Sequence, residues 1–188
     1  MPINLRYTTS DLELLPDVEG TRYEIIDGDL HVSRQPNLEH QFACLTIETE
    51  LHLWSRQGGL GRVFPAPGVL FAPDDNVAPD IVWISLSRLA AARDSAGHLH
   101  AAPELMVEVL SPGTTNERRD LELKLKLYSR QGVQEYWIVD WRLRTVQVYR
   151  RHEQALALVS TAGAGDTLTS PMLPGFSLRV DDIWEPTP

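Results

Sequence analysis

Glu108 stands in Leu105-Met106-Val107-Glu108-Val109-Leu110, a run in which every neighbour is apolar. Strand alternation puts its carboxyl on the face shared by Met106 and Leu110, where a lone carboxylate is costly unless a metal, a positive charge or a set of donors receives it. A half-exposed strand face or a structural ion pair is the bland explanation, and the apolar residues on both sides weigh against it. Asp80 heads a second run, Asp80-Ile81-Val82-Trp83-Ile84, after Ala78-Pro79. An Asp after Pro is often only a turn residue, so Asp80 gains weight only in company.

That company comes from the segment after Glu117. At about 100° per residue, Leu123, Leu127, Asp120, Lys124, Tyr128, Leu121 and Leu125 fall along one arc of a helix, with Glu122, Lys126, Ser129 and Arg130 opposite. Asp120 and Lys124 therefore lie in the middle of the buried face. Glu108 precedes Ser111 by three residues, about 10 Å of strand. Lys124 follows Glu117 by seven, about 10.5 Å of helix. A helix folding back on its strand brings Lys124 level with Glu108. An Asp120–Lys124 pair at i,i+4 explains the helix alone; a shared polar site explains Glu108 as well. Two acids on neighbouring strands with a lysine suit phosphodiester hydrolysis. Hard Mg²⁺, with Mn²⁺ as its substitute, prefers oxygen ligands and keeps waters. Held by Asp80 and Glu108, it would lower the pKa of an attacking water, while Lys124 positions that water or offsets charge on the phosphate.

The elements that must position these groups follow from turn signals and periodicity. A short helical pattern at Leu12 to Leu15 is followed by a β-hairpin, Tyr23 to Ile26 and Leu30 to Val32 about Asp27-Gly28. A long helix spans roughly Leu38 to Arg56, with Ala43, Ile47, Leu51 and Trp54 on one stripe, until Gly58-Gly59 stops it. Strands are expected at Val69 to Phe71, Ile81 to Ile84 and Leu105 to Leu110, with a small helix near Leu86 to Arg93. Thr114 and Glu117 have capping-box spacing for the second long helix, which ends at Gly132. Strands at Glu135 to Asp140, Thr145 to Tyr149, Leu156 to Val159 and Leu178 to Val180 complete the chain. The expected fold is α/β, an α+β mixed sheet of order αβββαβ with a helix on each face, an N-terminal β-hairpin and extra C-terminal strands.

Composition bounds the rest. The chain has 188 residues, 43% hydrophobic and 23% charged, which fits one globular domain over 1–188 and excludes disorder or a collagen-like repeat. No run reaches the roughly 20 apolar residues of a membrane helix and no export signal is read, so no membrane association is expected. Cys44 is the only cysteine, which excludes an internal disulfide and a zinc site built on cysteines and suits a reducing cytoplasm. A net charge of -9 argues against bulk attraction to nucleic acid. Residues 117–151 nevertheless carry nine basic and five acidic side chains, and both lysines of the chain fall within them. His31, His52, His98, His100 and His152 form no metal-ligand spacing, and neither a Gly-rich phosphate loop nor a nucleophile elbow is present.

Pro79-Asp80, with Glu108-Val109-Leu110 at the end of the third core strand, resembles the PD-(D/E)XK nuclease superfamily that includes restriction endonucleases. Tyr23-Glu24-Ile25-Ile26-Asp27-Gly28, Val107 to Pro112, Asp120 with Lys124 and Tyr128, Gly132 to Asp140 and Leu173-Pro174-Gly175-Phe176 more closely resemble the Uma-type family of endonucleases, widespread in bacteria. The similarity covers nearly the whole chain. One departure is that the superfamily's lysine two residues after the acid is here Leu110. The resemblance implies that the following helix supplies it, where Lys124 stands. It also implies a restriction-endonuclease-like core, a Mg²⁺-dependent DNA endonuclease with Asp80 and Glu108 as metal ligands, and accessory roles for Asp120, for Glu24 at the metal and for His40 at a proton or phosphate. A strand-edge Glu and a helix-surface His are the competing accounts of those last two. Rival functions are a non-catalytic module of the same fold that binds nucleic acid or a partner, and a metal-dependent hydrolase of a small phosphorylated substrate. Cutting both strands of a duplex calls for two active sites or a reorientation, and two-fold association into a homodimer, or a higher homo-oligomer, most simply supplies the second site. The expected dimer surface is the strand pair around Tyr136 to Tyr149 with Phe176, Leu178 and Trp184, and Arg118, Arg119, Arg142 and Arg144 would line a shared DNA groove.

Overall fold

The computed structural model describes residues 5–113 and 117–184. After a short helix α1 (Thr9–Leu12), Asp27 and Gly28 both adopt positive φ, 50° and 75°. That pair of angles is what a two-residue turn needs to match the twist of its strands, and it joins β1 (Arg22–Ile26) to β2 (Asp29–Ser33). Helix α2 (Leu38–Gly58) begins where the Asn37 side chain accepts the His40 N–H and ends at Gly59 in the left-handed region. Its buried stripe is His40, Ala43, Ile47, Leu51 and Ser55, whereas Leu38 and Leu45 are exposed. His40 is therefore not the surface histidine of the simplest reading.

Six strands form the main sheet, in the order β10-β9-β8-β7-β6-β3. They are β3 (Gly61–Pro65), β6 (Ile81–Ser85), β7 (Leu105–Val109), β8 (Glu135–Asp140), β9 (Thr145–His152) and β10 (Ala155–Ala162). Only β7 and β8 run parallel, and the crossover between them is helical: a π-helical segment Arg119–Lys124 runs directly into α-helix Leu125–Gln131, together α4. Thr114 of the expected helix cap lies outside the described residues. Between β3 and β6 the chain inserts β4 (Val69–Ala72) and β5 (Asp75–Val77), which join the hairpin in a four-stranded sheet β2-β1-β5-β4. Helix α3 (Leu86–Ala92) follows β6.

Alternation divides the main sheet into two cores. Ile81, Trp83, Leu105, Val107, Val109, Trp137 and Val139 face α2. Val82, Ile84, Met106, Tyr136 and Ile138 face Leu127 and Tyr128 of α4 and Ile26, Val69 and Val77 of the four-stranded sheet. Glu108 shares this second face with Met106, so the hairpin, α4 and the sheet converge above it.

Three strands were not anticipated: β3, β5 and β11 (Thr167–Ser170), the last paired with β12 (Leu173–Arg179). β3 starts at Gly61 and ends at Pro65, punctuation that normally marks loops; as an edge strand it tolerates the proline. The surface expected for a dimer is also corrected. Tyr136, Phe176, Leu178 and Trp184 are buried within the chain, Tyr136 against Tyr128 of α4 and the other three where the β11–β12 hairpin folds over the α2 side of the sheet. There Phe176 meets Trp54 and Trp137 at ring-centroid distances of 6.1 and 5.9 Å. Among the described residues no helix is long and apolar enough to cross a membrane.

Candidate active site

Asp80 immediately precedes β6. Antiparallel pairing sets Ile81 opposite Val107 and Val82 opposite Met106, so one step further Asp80 stands opposite Glu108, as a directly facing pair on the α4 side. The Val109 N–H donates to Asp80 Oδ2 at 2.9 Å. His40 Nε2 lies 3.3 Å from the same oxygen, and Arg22 Nη1 donates to Oδ1 at 3.3 Å. Burial alone would raise this carboxyl. The His40 contact, the Lys124 charge and the Val109 N–H outweigh burial and hold it down to about 2.

Glu108 has a different environment. Its Oε1 accepts from Lys124 Nζ at 2.9 Å and from the Tyr128 hydroxyl at 2.8 Å. Lys124, fully buried, also reaches Glu24 Oε1 at 2.9 Å and Asp120 Oδ1 at 3.6 Å. Glu24 in turn accepts the Ala78 N–H and faces Arg119 at 3.6 Å, and Arg119 is bound to Asp120 at 2.9 Å. Burial pushes Glu108 up, the Lys124 ammonium opposes it, and the carboxylates of Asp80, Asp120 and Glu24 add to it, leaving it at about 8. Burial likewise raises Asp120, against Lys124 and Arg119. Lys124 itself is raised: burial would lower it, but Glu108, Glu24 and Asp120 hold its proton.

The structure thus brings Asp80, Glu108, Lys124, Glu24, His40 and Asp120 into one cluster. A cleft of about 260 Å³ opens onto it, lined by Asp80, Glu108, His40, Arg22, Arg34 and Arg119 among others. Lys124 lies beneath Glu108 and does not line this cleft. Its amine donates to Glu108 and is ion-paired with Glu24 and Asp120, so it fixes Glu108 in place, and the cations that face the cleft are arginines.

The arginines expected along a groove separate. Arg119 is a wall of the cleft, because the π-helical turn brings residues five apart to one side of the helix and so sets Arg119 on the side of Lys124. Regular α spacing would set them about 140° apart. Arg118 pairs with Glu122 on the exposed side of α4, and Arg142 is bound by Asp140 and Glu117. Arg144 takes a positive φ of 53° in the turn between β8 and β9. Two cleft residues escaped the sequence reading, Arg22 and Arg34. The signal for Arg22 was present: it alternates with Glu24 on β1 and so shares its face. Arg34, in the loop after β2, carries no periodic signal.

Oxygen ligands from Asp80 and Glu108 on facing strands fit a hard divalent cation. The charge of the cluster fits it too. Four carboxyls, Glu24, Asp80, Glu108 and Asp120, share three permanent cations, Arg22, Arg119 and Lys124, so the cluster has a surplus of negative charge that a proton at Glu108 balances and that would attract a cation.

A search among curated proteins finds no match. Among solved structures, the chain is similar to the crystal structure of a "putative nuclease belonging to DUF820" from Anabaena variabilis ATCC 29413. That match has a TM-score of 0.74 at 21% identity and covers 94% of this chain and 96% of that one. At this identity the likeness speaks for the shared fold. The Uma2 family, described as "Putative restriction endonuclease", matches residues 9–181. Spanning nearly the whole chain, that match shows that this protein belongs to the Uma2 family.

Proposed function

We propose that the protein is a Mg²⁺-dependent DNA endonuclease with a restriction-endonuclease-like core. The observation that carries this reading is the facing pair of Asp80 and Glu108, opening into a cleft whose other charged walls are arginines. Asp80 and Glu108 would hold the cation, which when bound supplies an activated water and charge stabilisation at the phosphate. The chain's own residues do the rest. The Val109 N–H and His40 fix one oxygen of Asp80, and Lys124 and Tyr128 fix one oxygen of Glu108. Both Asp80 and Glu108 line the cleft. Lys124 is a positioning residue, and Arg119, held by Asp120 and Glu24, stands ready for a phosphate oxygen. Arg22, which now donates to Asp80, would give way to a bound cation and offer its guanidinium to the substrate.

Cutting both strands of a duplex takes two such sites or a reorientation of one, and a homodimer supplies the second most simply. Supercoiled plasmid incubated with Mg²⁺, Mn²⁺ or EDTA tests the activity. Nicking or linearisation with either metal, absent in EDTA and absent for Asp80→Ala, is expected. Identical metal-dependent cleavage by wild type and Asp80→Ala would remove the site from the reaction.

A further inference from the structure

Asp80 has a second side. A separate cleft of about 220 Å³ lies against it, lined by His40, Cys44, Glu48, Asp80 and Arg22 among others. His40, Cys44 and Glu48 are spaced i, i+4, i+8 on α2 and so lie along one face of that helix. Cys44 Sγ is 3.5 Å from His40 Nδ1, and His40 Nε2 is 3.3 Å from Asp80 Oδ2. One donor atom from each of His40, Cys44 and Asp80 lies within 4.8 Å of the other two. Ligands about 2.0 to 2.3 Å from a tetrahedral Zn²⁺ stand roughly 3.3 to 3.6 Å from one another, close to the two measured contacts. An ion takes only one imidazole nitrogen, so the third donor closes the remaining distance by a side-chain rotation. His40 is buried and Cys44 half-buried, which holds two of the donors.

We propose that His40, Cys44, Glu48 and Asp80 form a second cation site, selective for a thiophilic divalent ion of the Zn²⁺ class, that competes with the oxygen-ligand site for Asp80. The donor types separate the two ions. Mg²⁺ takes oxygen and keeps its waters, whereas one sulfur, one nitrogen and two oxygens suit four-coordinate Zn²⁺. Binding replaces the Cys44 thiol proton, which passes to the buffer, and the resulting thiolate is the ligand. An ion seated on the α2 side draws the Asp80 carboxylate away from Glu108, so Zn²⁺ switches off Mg²⁺-dependent cleavage. That last consequence rests on the nuclease reading; the site itself does not.

Co²⁺ serves as the spectroscopic probe on the full chain. One equivalent should bind with the visible bands of a four-coordinate ion and a near-ultraviolet thiolate charge-transfer band, and Zn²⁺ should displace it. Cys44→Ser should abolish the charge-transfer band and weaken Zn²⁺ binding at least about tenfold. Glu48→Gln, at the half-buried rim, should keep the band with lower affinity. Glu108→Gln, altered only in the neighbouring cleft, should keep both band and affinity. In the plasmid assay Zn²⁺ should inhibit wild type more strongly than Cys44→Ser. No Co²⁺ binding, a complex lacking the charge-transfer band, or unchanged Zn²⁺ affinity in Cys44→Ser would overturn the proposal. Because these readouts need no cleavage, they decide the site even if the plasmid stays intact.

Discussion

Glu108 bears the charge shortfall of its cluster, and its stability signature follows from that. In the folded protein it keeps its proton up to about pH 8, whereas an unfolded Glu releases it near 4.5. Between those values the folded state binds more protons, so this group's contribution is full below about 4.5 and is lost as pH rises toward 8. Asp80 acts in the opposite sense. Held down to about 2 against an ordinary 3.8, it contributes above 3.8 and loses that contribution as pH falls toward 2. Metal-free protein should therefore be most stable in mildly acidic solution, with a melting temperature that declines toward about pH 8 and recovers when Mg²⁺ is added. Glu108→Gln still accepts from Lys124 and Tyr128 but carries no charge. Thermal melts in EDTA should show the alkaline decline flattened for this variant and stability at about pH 8 equal to or above wild type, while plasmid cleavage is lost. A variant that unfolds easily yet cleaves normally would make Glu108 a structural residue. These two carboxyls and Lys124 were legible in the sequence because apolar neighbours and helical spacing isolate them. Arg22 and Arg34 were not, because arginine at a strand end or in a loop looks like any solvated charge.

At the level of elements, the π-helical turn of α4 determines which side chains meet. Leu127 and Tyr128 of the α-helical half keep the regular buried face, while the π turn adds Arg119 to the face that already holds Asp120 and Lys124. Deleting Glu122, exposed on the opposite side, removes the residue that the π turn accommodates, and in the α-helix that results Arg119 stands four positions from Lys124 and keeps its face. Circular dichroism should then report a folded protein, and the plasmid assay should show cleavage retained. A folded variant that no longer cleaves would show that the extra residue of the π turn is itself needed at the site. Hydrophobic periodicity was read at 3.6 residues per turn, so it found the helix and Lys124 and could not find this turn. The same reading located the Asp27-Gly28 hairpin, α2 and β8, whose signals are local. It passed over β3, β5 and β11, which are short or bounded by Gly and Pro and exist because neighbouring strands pair with them. His40 looked like a surface group because its partner, Asp80, is forty residues away.

Across the whole molecule a charge of -9 leaves little general attraction for DNA, so the proposed duplex binding would rest on a few local cations. Arg22, Arg34 and Arg119 face the cleft, and of these Arg34 is exposed and stands outside the buried network. Arg34→Ala should weaken duplex binding and reduce the slope of log affinity against log salt by about one. Arg118→Ala, on the far side of α4 against Glu122, should change the slope less. Fluorescence anisotropy at several salt concentrations measures both, and equal effects would favour a groove spread over α4. The central claim is that Asp80 and Glu108 together hold the cation at which DNA is cut. Anomalous scattering from crystals grown with Mn²⁺ and a short duplex tests it most directly. The expected result is a manganese peak between the two carboxylates, with Lys124 still bound to Glu108 and a phosphate beside Arg119. Manganese bound elsewhere, with the Asp80–Glu108 pair free of metal while the duplex is cleaved, would contradict it.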